Sequence, residues 1–283
     1  MFHNFIVHLP SEGNARNYTI FMKIPIGIAN SISANFEYDP LDTARFARNE
    51  GFELIQVYLS ESLVKDAAWW GEFVQELGEA VNIIFHAHGD LNTAFFTSDY
   101  YQALKAFFSQ GIQPHYILHF DETVQVDHLV ALVEKQITNN EVLFLENYFL
   151  SHGAEAAEKN LKKYMALFTL LVSGSNKLRP VLDIPRFFHA NLQWDDQVAL
   201  NWLFQLMNFF SLRRIPMLLH LVDYVDNQQQ KHQLCPVGNG YIPYKEIFHF
   251  IQKTSPLISG IILEYEDKLN PLKSRHNILR MLA

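Results

Sequence analysis

Eight short apolar runs alternate along the chain with longer segments of helical spacing. The runs are apolar throughout rather than alternately apolar and polar, which is typical of parallel strands buried on both faces. Eight such strands alternating with helices are the number that closes a (β/α)8 TIM barrel. We therefore predict a single α/β barrel. The eight runs are 23–29, 52–59, 81–88, 115–120, 141–147, 179–184, 216–222 and 260–265.

The segments between the runs carry residues that begin and end helices. Ser98 and Asp99 precede YYQALKAFF, and Asp195 precedes a second apolar segment, DQVALNWLFQLMNFF. Short polar side chains of this kind cap helix N-termini. Residues 151–172 are rich in Ala, Leu, Lys and Glu and have no interior proline, which predicts a long helix between the fifth and sixth strands.

Composition gives no reason to divide the chain. The 283 residues contain no Gly/Ser linker, charge block or low-complexity tract, and this length is enough to bury one large core. We predict that residues 22–283 form the barrel. Residues 1–21 contain two apolar stretches on either side of the turn-prone PSEGN, which predicts either a hairpin at the barrel floor or a loose extension.

Charge and cysteine content exclude several classes of function. The net charge is −8 and no basic stripe is present, so a nucleic acid is a disfavoured partner. Cys235 is the single cysteine, so no intramolecular disulfide can form, and we predict a cytoplasmic protein. No apolar run approaches the roughly 20 residues that span a bilayer, so no membrane association is expected. Neither glycine-rich phosphate-binding motif occurs, so we expect no nucleotide cofactor.

Residues that bind divalent metals stand at the ends of the last four apolar runs: Glu146, Asp183, His220 and Glu264. In a parallel barrel these strand ends meet at the open face that carries the chemistry. Each residue alone has a structural interpretation, as a turn cap, a solvated carboxylate or a hydrogen-bonded core histidine. Buried carboxylates are costly without a partner, however, and their occurrence on four successive strands favours one shared cation.

The motifs along these runs resemble those of the xylose isomerase-like TIM barrel superfamily. This superfamily includes sugar phosphate isomerases and epimerases, inosose dehydratases and apurinic endonucleases of family 2. The resemblance spans residues 22–270, and its most specific part is the spacing of VGNGYIPYKEIF, with its Gly-x-Gly turn, after LLHLVD. The other matching segments are GFELIQVYL, IIFHAHGDLN, ILHF, FLEN, VLDI and IILEY.

The resemblance implies that Glu146, Asp183, His220 and Glu264 hold one divalent ion. In the epimerase branch, Glu146 and Glu264 would also be the catalytic groups that move protons at the carbons beside the carbonyl. Such a reaction passes through an enediolate and needs an electrophile at the oxygen and a base on each side, which agrees with these residue types. Oxygen-rich ligation with one imidazole suits Mn²⁺ first, while Mg²⁺, Co²⁺ and Zn²⁺ remain open.

Two further histidines distinguish the branches of the superfamily. His86 and His119 end the third and fourth runs and are candidates either for holding substrate oxygens or for binding a second metal. The resemblance to the endonucleases implies the second role, with Glu146 as the shared ligand. That branch also has a histidine three residues after the aspartate and an Asp-x-His pair. Here Arg186 and the segment HQLC stand instead, so a three-metal site is not expected.

Three basic residues are candidate substrate contacts. Arg186 can pair with a carboxylate or phosphate through two parallel hydrogen bonds, although a surface arginine is an equal alternative. Lys231 and His232 lie in a polar loop after the seventh strand, where they either contact the substrate or face solvent.

Together these features predict a divalent-metal-dependent isomerase or epimerase that acts on a small sugar or sugar derivative. A metal-dependent phosphodiesterase of the endonuclease type is the first alternative, and a barrel without catalytic activity is the second. The expected partner is a small-molecule sugar. Phe-rich helical segments add the hypothesis of a homodimer.

Overall fold

The computed structural model describes residues 23–78, 81–138, 140–147, 152–171, 177–230 and 233–283. Its strands are β1 (Ile26–Ala29), β2 (Leu54–Leu59), β3 (Asn82–Asp90), β4 (His115–His119), β5 (Val142–Glu146), β6 (Leu178–Asp183), β7 (Met217–Leu221), β8 (Asp223–Tyr224), β9 (Leu234–Cys235) and β10 (Ile258–Leu263). Eight of them form a closed parallel barrel in the order β1, β10, β7, β6, β5, β4, β3, β2. The predicted (β/α)8 TIM barrel is confirmed, with one strand in each apolar run. The short β8 and β9 pair antiparallel outside the barrel.

Helices connect the strands, as the alternation predicts. They are α1 (Pro40–Glu50), α2 (Glu61–Lys65), α3 (Ala68–Leu77), α4 (Thr93–Thr97), α5 (Asp99–Phe108), α6 (Val126–Gln136), α7 (Ala154–Leu171), α8 (Asp196–Leu212), α9 (Tyr244–Thr254) and α10 (Leu269–Leu282). The predicted long helix corresponds to α7. In the part of the chain that the structure describes, no helix has the length and apolar character needed to cross a membrane.

Polar side chains begin the helices where the sequence predicts. The Ser98 hydroxyl accepts a hydrogen bond from the Tyr101 backbone N–H at 3.1 Å, at the start of α5. The Asp195 carboxylate accepts from the Val198 N–H at 2.8 Å, at the start of α8. Each bond satisfies a backbone donor that has no partner within its helix, which stabilises that helix by about 1 kcal/mol.

The hydrophobic core has two layers. The larger layer lies between the strands and the surrounding helices. The smaller layer fills the inside of the barrel and takes one apolar residue from each barrel strand, so the barrel is packed rather than hollow at this level. These inner residues are Ala29, Leu54, Ile84, Ile117, Phe144, Val181, Leu218 and Ile262.

Gly27 allows the close approach of β1 to β2. A Cβ atom at this position would lie 2.3 Å from the Leu54 carbonyl oxygen and 2.6 Å from Leu54 Cβ. Because Gly27 and Leu54 are register partners in the parallel pair, the backbone cannot move aside without disturbing the barrel.

We therefore expect Gly27→Ala to lower the free energy of unfolding by about 2–3 kcal/mol or more, measured by urea denaturation. Gly71→Ala is the matched control, since a Cβ there meets nothing within 4 Å and the site is inside α3. That variant should be neutral or up to about 1 kcal/mol more stable. Equal stability of the two variants would contradict the close approach.

The prediction for residues 1–21, and residue 22 with it, lies outside the described residues, as do the candidate substrate contacts Lys231 and His232.

Candidate metal centre

One geometric rule brings the polar residues of the barrel mouth together. Alternate residues of a strand face the same side, so the residue two positions after each inner apolar residue also faces the barrel interior, one layer nearer the C-terminal mouth. That position holds a polar or charged residue in all eight cases. Ser31 lies in the 3₁₀ helix that follows β1, and the other seven continue the strand pattern. In strand order along the chain these are Gln56, His86, His119, Glu146, Asp183, His220 and Glu264.

Three of the four predicted metal ligands are in direct contact. His220 Nδ1 lies 3.2 Å from Glu264 Oε1 and 3.5 Å from Glu146 Oε2. His220 and Glu146 are almost fully buried, at 0% and 3% exposure, so their charges are little screened by water. The ends of β5, β7 and β10 therefore converge on one point.

Asp183, the fourth predicted ligand, lies on the same rim but has another partner. It is the register partner of His220 between β6 and β7, and it is 7% exposed. The Arg186 Nε–H donates to Asp183 Oδ2 at 2.9 Å. In this arrangement Arg186 neutralises part of the carboxylate charge at the mouth. Its predicted contact with substrate stays a prediction.

His86 and His119 lie close to the same Glu146 oxygen. His86 Nε2 lies 3.2 Å and His119 Nε2 3.9 Å from Glu146 Oε2. Within the described ranges, these three residues form the group whose ligand atoms all lie within 4.8 Å of one another. His119 Nδ1 also lies 3.4 Å from Asp90 Oδ1. Such a histidine, oriented by a carboxylate behind it, is common among metal ligands.

The pKa values at the mouth reflect crowding of like and unlike charges. Burial alone would raise the pKa of Glu146, but His220, His86 and His119 lower it well below its ordinary value. Burial would lower the pKa of His220, but Glu264 and Glu146 raise it to about 9. Burial raises the pKa of Asp183 to about 7, with Arg186 opposing the shift and Glu146 and Glu264 adding to it. Without another cation, the His220 imidazolium balances the carboxylates.

The residues fit a divalent cation. Both ring nitrogens of His220 are buried without a directed hydrogen bond, which is costly unless another group occupies that position. Three carboxylates close to this imidazole repel one another, and a shared cation removes the repulsion. Glu146, Asp183, His220 and Glu264 would hold the ion, and their oxygen-rich set suits Mn²⁺, Mg²⁺ or Co²⁺, with Zn²⁺ also compatible.

Gln56 belongs to the site and was missed by the sequence analysis. Its Nε2–H donates to Glu264 Oε1 at 2.7 Å, while its Oε1 is buried without a hydrogen-bond partner. The side chain is 3% exposed, so it holds Glu264 from a fixed position. Its place two residues after the apolar Leu54, in the same spacing as the other site residues, is the signal that identifies it in the sequence.

A cavity of about 810 Å³ opens directly above these residues. Glu264, Gln56, His86 and His119 line it, together with residues that follow β1 and β2 and with Tyr224 and Leu234. Its size is within the range of small-molecule binding sites. Glu264 therefore faces the solvent-filled space, whereas Glu146 is buried at 3% exposure.

The Gly-x-Gly turn of the VGNGYIPYKEIF motif is held by Asp223. Asp223 Oδ2 accepts from the Gly238 N–H at 3.0 Å and the Gly240 N–H at 2.9 Å. A Cβ at Gly240 would lie 2.2 Å from the Tyr224 carbonyl oxygen, so glycine is required there. Burial raises the pKa of Asp223 to about 6, although these backbone donors oppose the shift. The motif thus fixes the loop that carries Tyr224 to the cavity wall.

Comparison with known proteins identifies the fold. No protein-family model matches the chain, and no curated protein sequence matches it. Solved structures do match the chain. A crystal structure of AsfvAP:AG is 16% identical with a TM-score of 0.60, over 91% of this chain and 98% of that one. A xylose isomerase domain protein from Planctomyces limnophilus is 13% identical with a TM-score of 0.60, over 92% and 96%.

A third similar structure is D-psicose 3-epimerase with D-tagatose from Clostridium cellulolyticum H10. It is 14% identical with a TM-score of 0.50, over 92% of this chain and 94% of that one. These similarities confirm the predicted resemblance at the level of the fold: the chain shares its TIM-barrel fold with these proteins. At such low identity they do not extend to the reaction.

Proposed function

We propose that this protein is a divalent-metal-dependent isomerase or epimerase that acts on a small sugar or sugar derivative by proton transfer beside a carbonyl. The observation that carries the proposal is the convergence of Glu146 and Glu264 on His220 at 3.5 and 3.2 Å, at the floor of an open cavity. Two carboxylates and an imidazole in this arrangement combine a cation site with acid and base groups.

The exposure of each residue indicates its role in the proposed reaction. When bound, a divalent ion supplies a Lewis acid that polarises the substrate carbonyl. Glu264 lines the cavity and is held by Gln56, so it is placed to take a proton from a substrate carbon. Glu146 is the buried carboxylate beside the same nitrogen of His220, and it would return a proton at the other face of the substrate. His86 and His119 would hold substrate oxygens.

A metal-dependent phosphodiesterase is the second candidate, and one observation favours it. His86, His119 and Glu146 form a group with ligand atoms within 4.8 Å, and this is the set that the resemblance to the apurinic endonucleases implies for a second metal. Two observations oppose it. The side chain of Arg186 is hydrogen-bonded to the Asp183 carboxylate. The net charge of −8 weakens the attraction of the protein to a phosphate backbone. We therefore prefer the sugar reaction.

Solvent deuterium exchange tests the proposal without knowledge of the product. The protein is loaded with Mn²⁺ and incubated in D₂O with a panel of ketoses, and carbon-bound deuterium is followed by NMR. We expect exchange at a carbon beside the carbonyl that depends on both metal and protein. If no ketose of the panel exchanges and an abasic-site DNA is cleaved instead, the phosphodiesterase is correct.

A further inference from the structure

We propose, resting on the sugar reaction above, that the substrate is an uncharged polyhydroxy compound without a phosphate group, and that it lies against an aromatic lip at the cavity mouth. The lip consists of Phe36, Tyr38 and Tyr58. All three rings line the cavity and are unusually exposed, at 57%, 46% and 40%. Exposed aromatic side chains around one cavity are typical of ligand contacts rather than of core packing.

Hydrogen bonds hold the two segments of the aromatic lip together. The side chain of Asn30, 1% exposed, donates from Nδ2 to the Tyr38 carbonyl at 2.8 Å and accepts from the Tyr58 N–H at 2.8 Å. One buried amide therefore joins the two segments that carry the rings. Glu37 and Tyr38 have φ values of 56° and 62°, which are strained for residues other than glycine. Glu37 takes this conformation where the 3₁₀ helix after β1 ends, which sets the direction of the segment that carries Tyr38.

Aromatic rings fit the apolar C–H face of a sugar, and the remaining polar wall fits its hydroxyl groups. The described residues that line the cavity include the carboxylates of Glu37, Asp39, Glu264 and Glu266. Carboxylates accept strong hydrogen bonds from hydroxyl donors. Neutral donors and acceptors complete the wall: Asn30, Ser31, Gln56, Ser60 and Ser62.

The same wall opposes a phosphate group. Among the described lining residues there is no lysine or arginine, while three are acidic besides the metal ligand Glu264. Lys268, whose Nζ lies 5.0 Å from the centre of the Phe36 ring, is paired with Asp42. A phosphate dianion entering this space would meet like charges within a Debye length, which weakens its binding. Phosphate sites in proteins normally provide arginine, lysine or unoccupied helix N-terminal N–H groups. The two helix N-termini at this cavity are already capped, α1 by the Asp39 carboxylate and α2 by the Ser60 hydroxyl.

Equilibrium binding of matched ligand pairs tests the inference. Titration calorimetry on the Mn²⁺-loaded protein would compare ketohexoses such as D-fructose and D-tagatose with their terminal phosphate esters. We expect each neutral ketose to bind at least about tenfold more tightly than its ester. Glu37→Lys should reduce the difference in affinity between the neutral ketose and its phosphate ester. Glu134→Lys, on the exposed surface of α6, makes the same change in net charge away from the cavity and should leave it unchanged.

Equal or tighter binding of the esters, tighter binding of amino sugars, or the absence of binding by any neutral ketose would overturn the inference. These outcomes are separate from those of the deuterium experiment. Neutral ketoses that bind without exchanging deuterium would support the substrate class and contradict the proposed reaction. Phosphate esters that bind more tightly than the neutral ketoses and exchange deuterium would contradict the substrate class and support the proposed reaction.

Discussion

Glu264→Gln is expected to lower turnover by about 10²–10⁴-fold, since it removes the one acidic group of the metal centre that both touches His220 and lines the cavity. The substitution keeps the shape of the side chain, and its amide oxygen can still accept from Gln56 Nε2. The fold should therefore be retained. Deuterium exchange rates for a reactive ketose, with circular dichroism as a check of folding, measure the effect.

Glu266→Gln is the matched control for this loss. Glu266 also lines the cavity, but it lies beyond the inward-facing series of strand-end residues. We expect its turnover at saturating substrate to remain within about tenfold of that of the original protein, because Glu266 is placed to accept from substrate hydroxyl groups rather than to transfer a proton. Equal losses in the two variants, or full activity of Glu264→Gln, would contradict the role of Glu264.

Binding of Mn²⁺ is expected to tighten by several orders of magnitude as the pH rises from about 6 to about 9. In the ion-free protein the pKa of His220 is raised to about 9, and the pKa of Asp183 is raised to about 7. Both groups must lose a proton before they can bind an ion. The apparent affinity should therefore rise about tenfold per pH unit between 7 and 9, more steeply below 7, and level off above 9.

Calorimetric titrations in buffers of different ionisation enthalpy would measure both the affinity and the protons released. His249→Gln removes an exposed histidine on α9, far from the centre, and should not change the slope. An affinity for Mn²⁺ that does not change with pH, or binding without proton release, would show that His220 is not a ligand.

The fold was predictable because its signals are local and repeated. Each apolar run became a barrel strand, and the capping residues Ser98 and Asp195 begin α5 and α8 as predicted. The convergence of Glu146, His220 and Glu264 was also predictable in outline, since parallel strands place their C-terminal ends on one face. The period of two within each strand then determines which residues face inward.

Other features of the site depend on contacts between distant residues, which single-sequence patterns do not contain. The sequence analysis missed Gln56 because a single amide inside an apolar run is common in strands and does not by itself indicate a site. Its role follows from its hydrogen bond to Glu264, which is 208 positions away in the sequence. The pairing of Arg186 with Asp183 is instead local, since the 3₁₀ turn after β6 brings residues three positions apart into contact. The aromatic lip depends on Asn30, which joins two segments through one buried side chain.

The central claim is that one divalent ion is shared by Glu146, Asp183, His220 and Glu264. Anomalous X-ray diffraction from crystals grown with Mn²⁺ tests it most directly, since the metal is located without reference to activity. We expect a strong anomalous peak in contact with all four side chains. The absence of a peak at these four side chains would contradict the claim. So would a peak in contact with His86 and His119 but not with His220 and Glu264.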